Sequence, residues 1–114
     1  MELDLVLTNT QIMLPSKGLT PGQIGIHDGR IAAIAEPGLA LRAKETIDCQ
    51  GLWTLPGVID PHVHFGFGSP ETDFQTESRF AALGGTTTVL SFHRSADIRE
   101  SFEPVRERAE RQSC

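Results

Sequence analysis

The sequence predicts an α/β chain: short strands through its first half, then a strand–helix–strand unit and a final helix. Three observations carry this. Apolar residues alternate or cluster in short runs up to Thr54, broken by turn residues such as Asp28-Gly29 and Gln50-Gly51. At Leu55-Pro56-Gly57 the composition changes, which sets a boundary between 1–55 and 56–114. Beyond it, two β-branched, apolar runs flank a segment with helical start and stop signals.

Leu3, Leu5 and Leu7 alternate with Asp4, Val6 and Thr8, a strand with unequal faces. A second short strand is expected from Gln11 to Leu14, ended by Pro15. Gln23–His27 and Arg30–Ile34 flank Asp28-Gly29, a strong hairpin signal because a type I′ turn needs positive φ at both central residues. Thr46 to Cys49 and Leu52 to Thr54 complete what reads as a small β-sheet or sandwich. In the second half, Val58 to Asp60 suits a strand buried on both faces. Thr72-x-x-Gln75 resembles a capping box opening a helix from Asp73 to Leu83, which Gly84-Gly85 would end. Thr86–Leu90 reads as the next buried strand. Ile98, Phe102, Val105 and Ala109 recur on one face of a last helix, with Arg99/Glu103 and Glu107/Arg111 as i, i+4 pairs. Pro104 should kink or restart it.

Bulk properties exclude several classes. The 114 residues carry a formal net charge of −5, which argues against a nucleic-acid partner. The arginines Arg106, Arg108 and Arg111 alternate with acids and read as a solvated helix face. Cys49 and Cys114 form neither a disulfide framework nor a thiolate zinc site, and Cys49 is expected to pack as a small core residue. The acidic N-terminus lacks signal-peptide character, and no apolar stretch could span a bilayer. A cytoplasmic protein without membrane or nucleic-acid partners is expected.

The chemistry concentrates at Asp60-Pro61-His62-Val63-His64. Residues i and i+2 of a strand point to one side, so His62 and His64 can converge on one metal ion while Val63 packs behind them. Imidazole is the commonest protein metal ligand, and a catalytic zinc needs about three protein ligands plus an open position. An isolated HxH is more often structural or incidental than ligating; what favours ligation is its place at the C-terminal end of an apolar strand, before a Gly-rich loop and a βαβ unit. Asp60 is read as facing away from the histidine side and as structural. His27 is read as an exposed turn histidine. His93, after the second strand of the unit, could assist the site, with a structural or solvent-facing role favoured.

The segments GLWTLPGVIDPHVHFG and ETDFQTESRFAALGGTTTVLSF resemble the amidohydrolase superfamily, in its dihydropyrimidinase/hydantoinase and allantoinase-like branch. The upstream IGIHDGRIAAIAE and ETIDCQG are similar to the same family's first segment, so the resemblance reaches about Ser95. It implies a metal-dependent TIM barrel, of which this chain would hold about two βα units, preceded by strands of a small β-sandwich. It implies one or two divalent metals, usually zinc, that activate water to attack a cyclic amide. By resemblance, His62 and His64 are the first-strand ligands. The family's remaining ligands, a lysine, two further histidines and an aspartate, come from later strands. Here Lys17 and Lys44 precede the unit, His93 is the only later histidine, and no aspartate follows Asp97. About 60 residues follow Pro56, against about 250 in a barrel.

The expectation is therefore a segment of a longer cyclic-amide hydrolase, without a catalytic base of its own and inactive alone. For the full-length enzyme the resemblance implies a small cyclic amide substrate and a homo-oligomer. Gly66 stands where typical dihydroorotases carry an arginine, which weighs against that activity without removing it as an alternative. A non-catalytic assembly segment, like the dihydropyrimidinase-related proteins, is the other alternative. The unpaired edge of the strand at Thr86–Leu90 predicts self-association or marginal stability.

Overall fold

The computed structural model describes residues 2–69, 71–94 and 97–114, with nine elements in two compact units, 1–56 and 57–114. The first unit is one five-stranded sheet: β1 (Leu3–Leu14), β2 (Gly18–His27), β3 (Arg30–Ala35), β4 (Ala43–Asp48) and β5 (Trp53–Thr54). Its order is β3-β2-β1-β4, with β5 also on β1. Among the described residues this unit holds no second sheet, so the sandwich expected from the sequence is represented here by a single layer.

The two short strands expected between Leu3 and Leu14 are one. Asn9 adopts φ 51° at an irregularity between Leu7 and Thr10, and both halves continue pairing antiparallel with β2. Leu3, Val6, Thr10 and Ile12 are buried along this strand, whereas Leu5 and Leu7 are half-buried. Buried Thr10 is satisfied, its hydroxyl lying 2.7 Å from the Leu52 carbonyl and 2.6 Å from Thr54 Oγ1. Buried Gln23 donates to the carbonyls of Glu36 (2.9 Å) and Leu39 (2.6 Å), tying the loop after β3 to β2. The Asp28-Gly29 hairpin is as expected, with φ 49° and 68°.

The second unit pairs β6 (Val58–Val63) in parallel with β7 (Thr86–Ser91), joined through α1 (Asp73–Leu83) and followed by α2 (Ile98–Gln112). The strand–helix–strand arrangement is the expected one, but β6 runs three residues past its predicted end and so carries His62 within it. The capping box does not form. Thr72 makes no side-chain cap bond; instead the Asp73 carboxylate accepts from the N–H groups of Gly68 and Ser69, both at 2.9 Å. At the other end Gly84 N–H reaches the Phe80 carbonyl and Gly85 takes φ 84°, the expected left-handed exit.

The helix α2 is unbroken across Pro104, which removes one donor from its ladder without ending it. Among the described residues its ion pairs centre on Arg106, with Glu103 and Glu110, rather than on the expected Arg99/Glu103 and Glu107/Arg111. Of the predicted apolar face, Val105 and Ala109 are half-buried and Phe102 is exposed; the Ile98 side chain lies outside the described residues. Phe74 is the buried centre of this unit, 4% exposed. No helix among the described residues is long and apolar enough to cross a membrane.

Candidate metal centre

The strand β6 reaches His62 and Val63, and His64 follows at its end. Pairing with β7 is irregular here: Asp60 opposes Val89, and the next pair is Val63 with Ser91. Two bonds close the end of the ladder. Phe92 N–H donates to the Val63 carbonyl at 2.9 Å, and Phe65 N–H donates to Ser91 Oγ at 3.1 Å. Val63 is half-buried behind the pair, as strand alternation requires, while both histidines are exposed.

The two imidazoles converge. His62 Nε2 and His64 Nε2 are 3.2 Å apart, with ring centroids at 5.0 Å and planes at 76°. Phe92 lies against His62 at 4.4 Å and 33°, and near His64 at 5.9 Å. Phe67 meets His64 edge-on at 5.1 Å. Sequence reasoning missed both phenylalanines; for Phe92 the available signal was a large apolar residue directly after the strand that pairs with the HxH strand.

The structure changes the reasoning about the other candidates. Residues 60, 62 and 64 share strand parity, so alternation does not turn Asp60 away from the pair. What occupies it is a hydrogen bond from the His62 N–H to Asp60 Oδ1 at 3.0 Å, which makes it a support for the backbone entering the pair. His93 is drawn to α2, its Nε2 2.9 Å from Ser101 Oγ and its ring edge-on to Phe102 at 6.2 Å. It borders a cleft of about 320 Å³ lined also by Phe67, Arg94 and Arg108. Gly66 has φ 82°, and a Cβ there would stand 3.3 Å from the Phe74 ring. The loop thus needs glycine for its own backbone at the position where an arginine would have read a carboxylate.

His27, expected to be exposed, is half-buried. Its Nδ1 lies 3.3 Å from Asp4 Oδ2 and its Nε2 lies 3.6 Å from Asp28 Oδ2. Among the described residues, Asp4, His27 and Asp28 are the one group of three with metal-ligating atoms close together. Asp4 is already engaged, accepting from Lys44 Nζ at 2.6 Å and from Asp28 N–H at 2.8 Å. The Lys44 hydrogen bond, above all, holds the Asp4 carboxyl below its ordinary range and raises Lys44 in turn. An ammonium in the first position makes this cluster a strap between β1, β2 and β4 rather than a cation cage. Cys49 is half-buried, consistent with a packing role, and both cysteines are free.

No protein-family profile matches the chain. Individual proteins do. It is 38% identical over 94 residues to a D-hydantoinase of Rhizobium radiobacter, covering 79% of this chain and 20% of that protein. It is 40% identical over 105 residues to a dihydroorotase of Methanothermobacter thermautotrophicus, covering 88% of this chain and 23% of that one. A D-hydantoinase crystal structure superposes with a TM-score of 0.78 at 29% identity, covering 95% of this chain and 25% of the other. A zinc- and phosphonate-bound N-acyl-D-glutamate deacylase from Bordetella bronchiseptica gives a TM-score of 0.58 at 32% identity, over 80% of this chain and 19% of that one. The chain thus spans about a fifth to a quarter of the length of these relatives. With the HxH strand, the loop and the following βαβ unit all within the aligned fold, the chain belongs to the cyclic amidohydrolase family of the amidohydrolase superfamily.

Proposed function

We propose that this chain carries the first metal-binding portion of a hydrolase that opens cyclic amides of the hydantoin, dihydropyrimidine or allantoin type. The observation that carries the proposal is the 3.2 Å separation of His62 Nε2 and His64 Nε2. Two nitrogens bound at about 2.0–2.1 Å to one tetrahedral zinc stand about 3.3–3.4 Å apart, so the pair fits two of its ligand positions. The relatives are named for cyclic amides, and one structural neighbour holds zinc, which together favour zinc here.

His62 and His64 would hold a divalent zinc, which would supply a bound water of lowered pKa and polarisation of a carbonyl oxygen. The chain's own residues would do the following. His62 and His64 present neutral ring nitrogens to the ion. Asp60 fixes the backbone leading into them, and the end of β7 fixes the backbone between and after them. Phe67 and Phe92 set aromatic rings against the two imidazoles. Among the described residues no third ligating atom joins the two imidazoles, and the sequence offers no candidate for the family's base, so the chain is expected not to turn over substrate by itself. In the full-length enzyme we place the unit 57–114 as the opening βα units of a TIM barrel, and the substrate and oligomeric assembly belong to that protein.

The test is zinc titration by calorimetry. The wild-type chain is expected to bind one zinc per chain, with the site lost in His62→Ala and in His64→Ala. Unchanged binding in both variants would refute the proposal. Ring opening of hydantoin or dihydrouracil at enzyme-like rates by the chain with zinc would overturn its assignment as inactive alone. Dihydroorotase activity remains the second reading, favoured by the 40% identity over 105 residues to a dihydroorotase. Gly66, held by loop geometry, argues for the hydantoinase-like branch over it.

A further inference from the structure

Phe92 is about half exposed, like Val58, Ile59 and Leu90 of the neighbouring strands. Burial does not account for its position. What its ring touches is the histidine pair: it lies 4.4 Å from His62 at 33°, in a tilted stack, and 5.9 Å from His64 at 45°. Its backbone is fixed in the same place, because Phe92 N–H donates to the carbonyl of Val63, the residue between the two histidines, at 2.9 Å. The preceding Ser91 Oγ accepts from Phe65 N–H, the residue just after His64. Both the backbone and the ring of the 91–92 dipeptide therefore act on the segment 62–65.

We infer that Phe92 is a positioning residue for the metal-binding pair, its ring restricting both imidazoles to the rotamers that bring their Nε2 atoms together. This rests on the metal reading of His62 and His64 proposed above. Two exposed histidines on a strand end would otherwise populate several staggered rotamers, and each one frozen on binding costs affinity. A ring stacked on His62 and reaching His64 removes part of that freedom before the ion arrives. The offset geometry suits this, because tilted aromatic pairs at centroid separations near 4.5–7 Å are mutually attractive. Groups that orient metal ligands in this way typically change affinity by about 10–100-fold when removed.

The experiment uses the full 114-residue chain and zinc alone. Zinc affinity is measured for the wild type, Phe92→Leu, Phe92→Tyr and Phe92→Ala, beside thermal melts of each. Phe92→Leu keeps the bulk and loses the ring; its affinity is expected to fall about tenfold with an unchanged melting midpoint. Phe92→Tyr keeps the ring and is expected to bind as the wild type. In the metal-free chain, the ring protons of His62 are expected to lose a ring-current shift in the Leu variant and keep it in the Tyr variant. If Phe92→Ala does not fold, the Leu and Tyr variants still decide the matter. Wild-type affinity in Phe92→Leu, or equal losses in Leu and Tyr, overturns the inference while leaving the metal reading intact. Zinc binding that survives both His62→Ala and His64→Ala removes the metal reading and this inference with it.

Discussion

Ile12 and Val58 are both apolar strand residues, yet Ile12 is 5% exposed and Val58 is 55%. The contrast runs through the two units. In residues 1–56, Leu3, Val6, Ile12 and Ile24 are buried, and the buried polar groups of Thr10 and Gln23 have partners. In residues 57–114, Val58, Ile59 and Leu90 of the parallel pair, and Phe92 just after it, are all about half exposed or more. Parallel strands are nearly always covered on both faces, because their crossover helices put them in the interior of larger α/β folds. A sheet built on an antiparallel meander, as β1, β2 and β3 are here, can be satisfied with one covered face, even with β4 and β5 added in parallel to β1. The first unit thus closes a small core from its own residues, while the second holds strands of an interior kind with little to bury them.

The comparison can be broken most severely at the core of the first unit. Ile12→Ala is expected to cost about 2–5 kcal/mol, enough to unfold a small sheet at moderate temperature. Trp53, the only tryptophan, sits in β5 and should report that loss by fluorescence. A melt unchanged within error would show that the first unit does not depend on this core.

The counterpart in the second unit is Gly57. A Cβ there would stand 2.0 Å from Thr87 Oγ1 and 2.7 Å from Thr87 Cβ, so Gly57→Ala must push β6 and β7 apart. The expected cost is about 1–3 kcal/mol. Hydrogen exchange should show faster opening at the amides of β6 and β7 and little change in β1 and β2; uniform loss would mean that the two units unfold as one.

A finer test concerns the start of α1. Asp73→Ala removes the acceptor for two loop amides at a helix N-terminus and is expected to cost about 1 kcal/mol. Thr72→Ala should be near neutral, since Thr72 makes no side-chain cap bond. Denaturant midpoints in which Thr72→Ala is the worse of the two would restore the capping box read from the sequence.

The smallest effect is expected at the surface strap of the first unit. The Asp4 carboxyl, held below its ordinary value of 3.8 by the Lys44 hydrogen bond and by Asp28 N–H, favours folding above that value. The contribution fades as the pH falls below 3.8 and through the lower folded-state value. Asp4→Asn should therefore lower stability slightly at neutral pH and flatten the acid limb, where the wild type's advantage fades. An acid limb identical to the wild type's would remove the strap from the account.

Local chemistry was legible where it is local in origin. The Asp28-Gly29 turn, the bounds of α1 and the parallel strand–helix–strand order follow from backbone preferences and periodicity within a few residues. The continuity of β1 through Asn9 was not legible, because a bulge depends on what the partner strand does opposite it. Nor were the Arg106-centred ion pairs, which several competing acids on one helix leave open.

By itself the sequence determined in which family the chain sits and which two histidines share one side of a strand. The spacing of His62 and His64 on a strand fixes that they share a side, whatever surrounds them. Only the tertiary structure decided how they are held. Asp60 bonds the backbone at His62, and Phe92, just after β7 and 28 residues beyond His64, bonds Val63 and lies against both rings. Contacts of that kind depend on parallel pairing across a crossover, which no local pattern encodes.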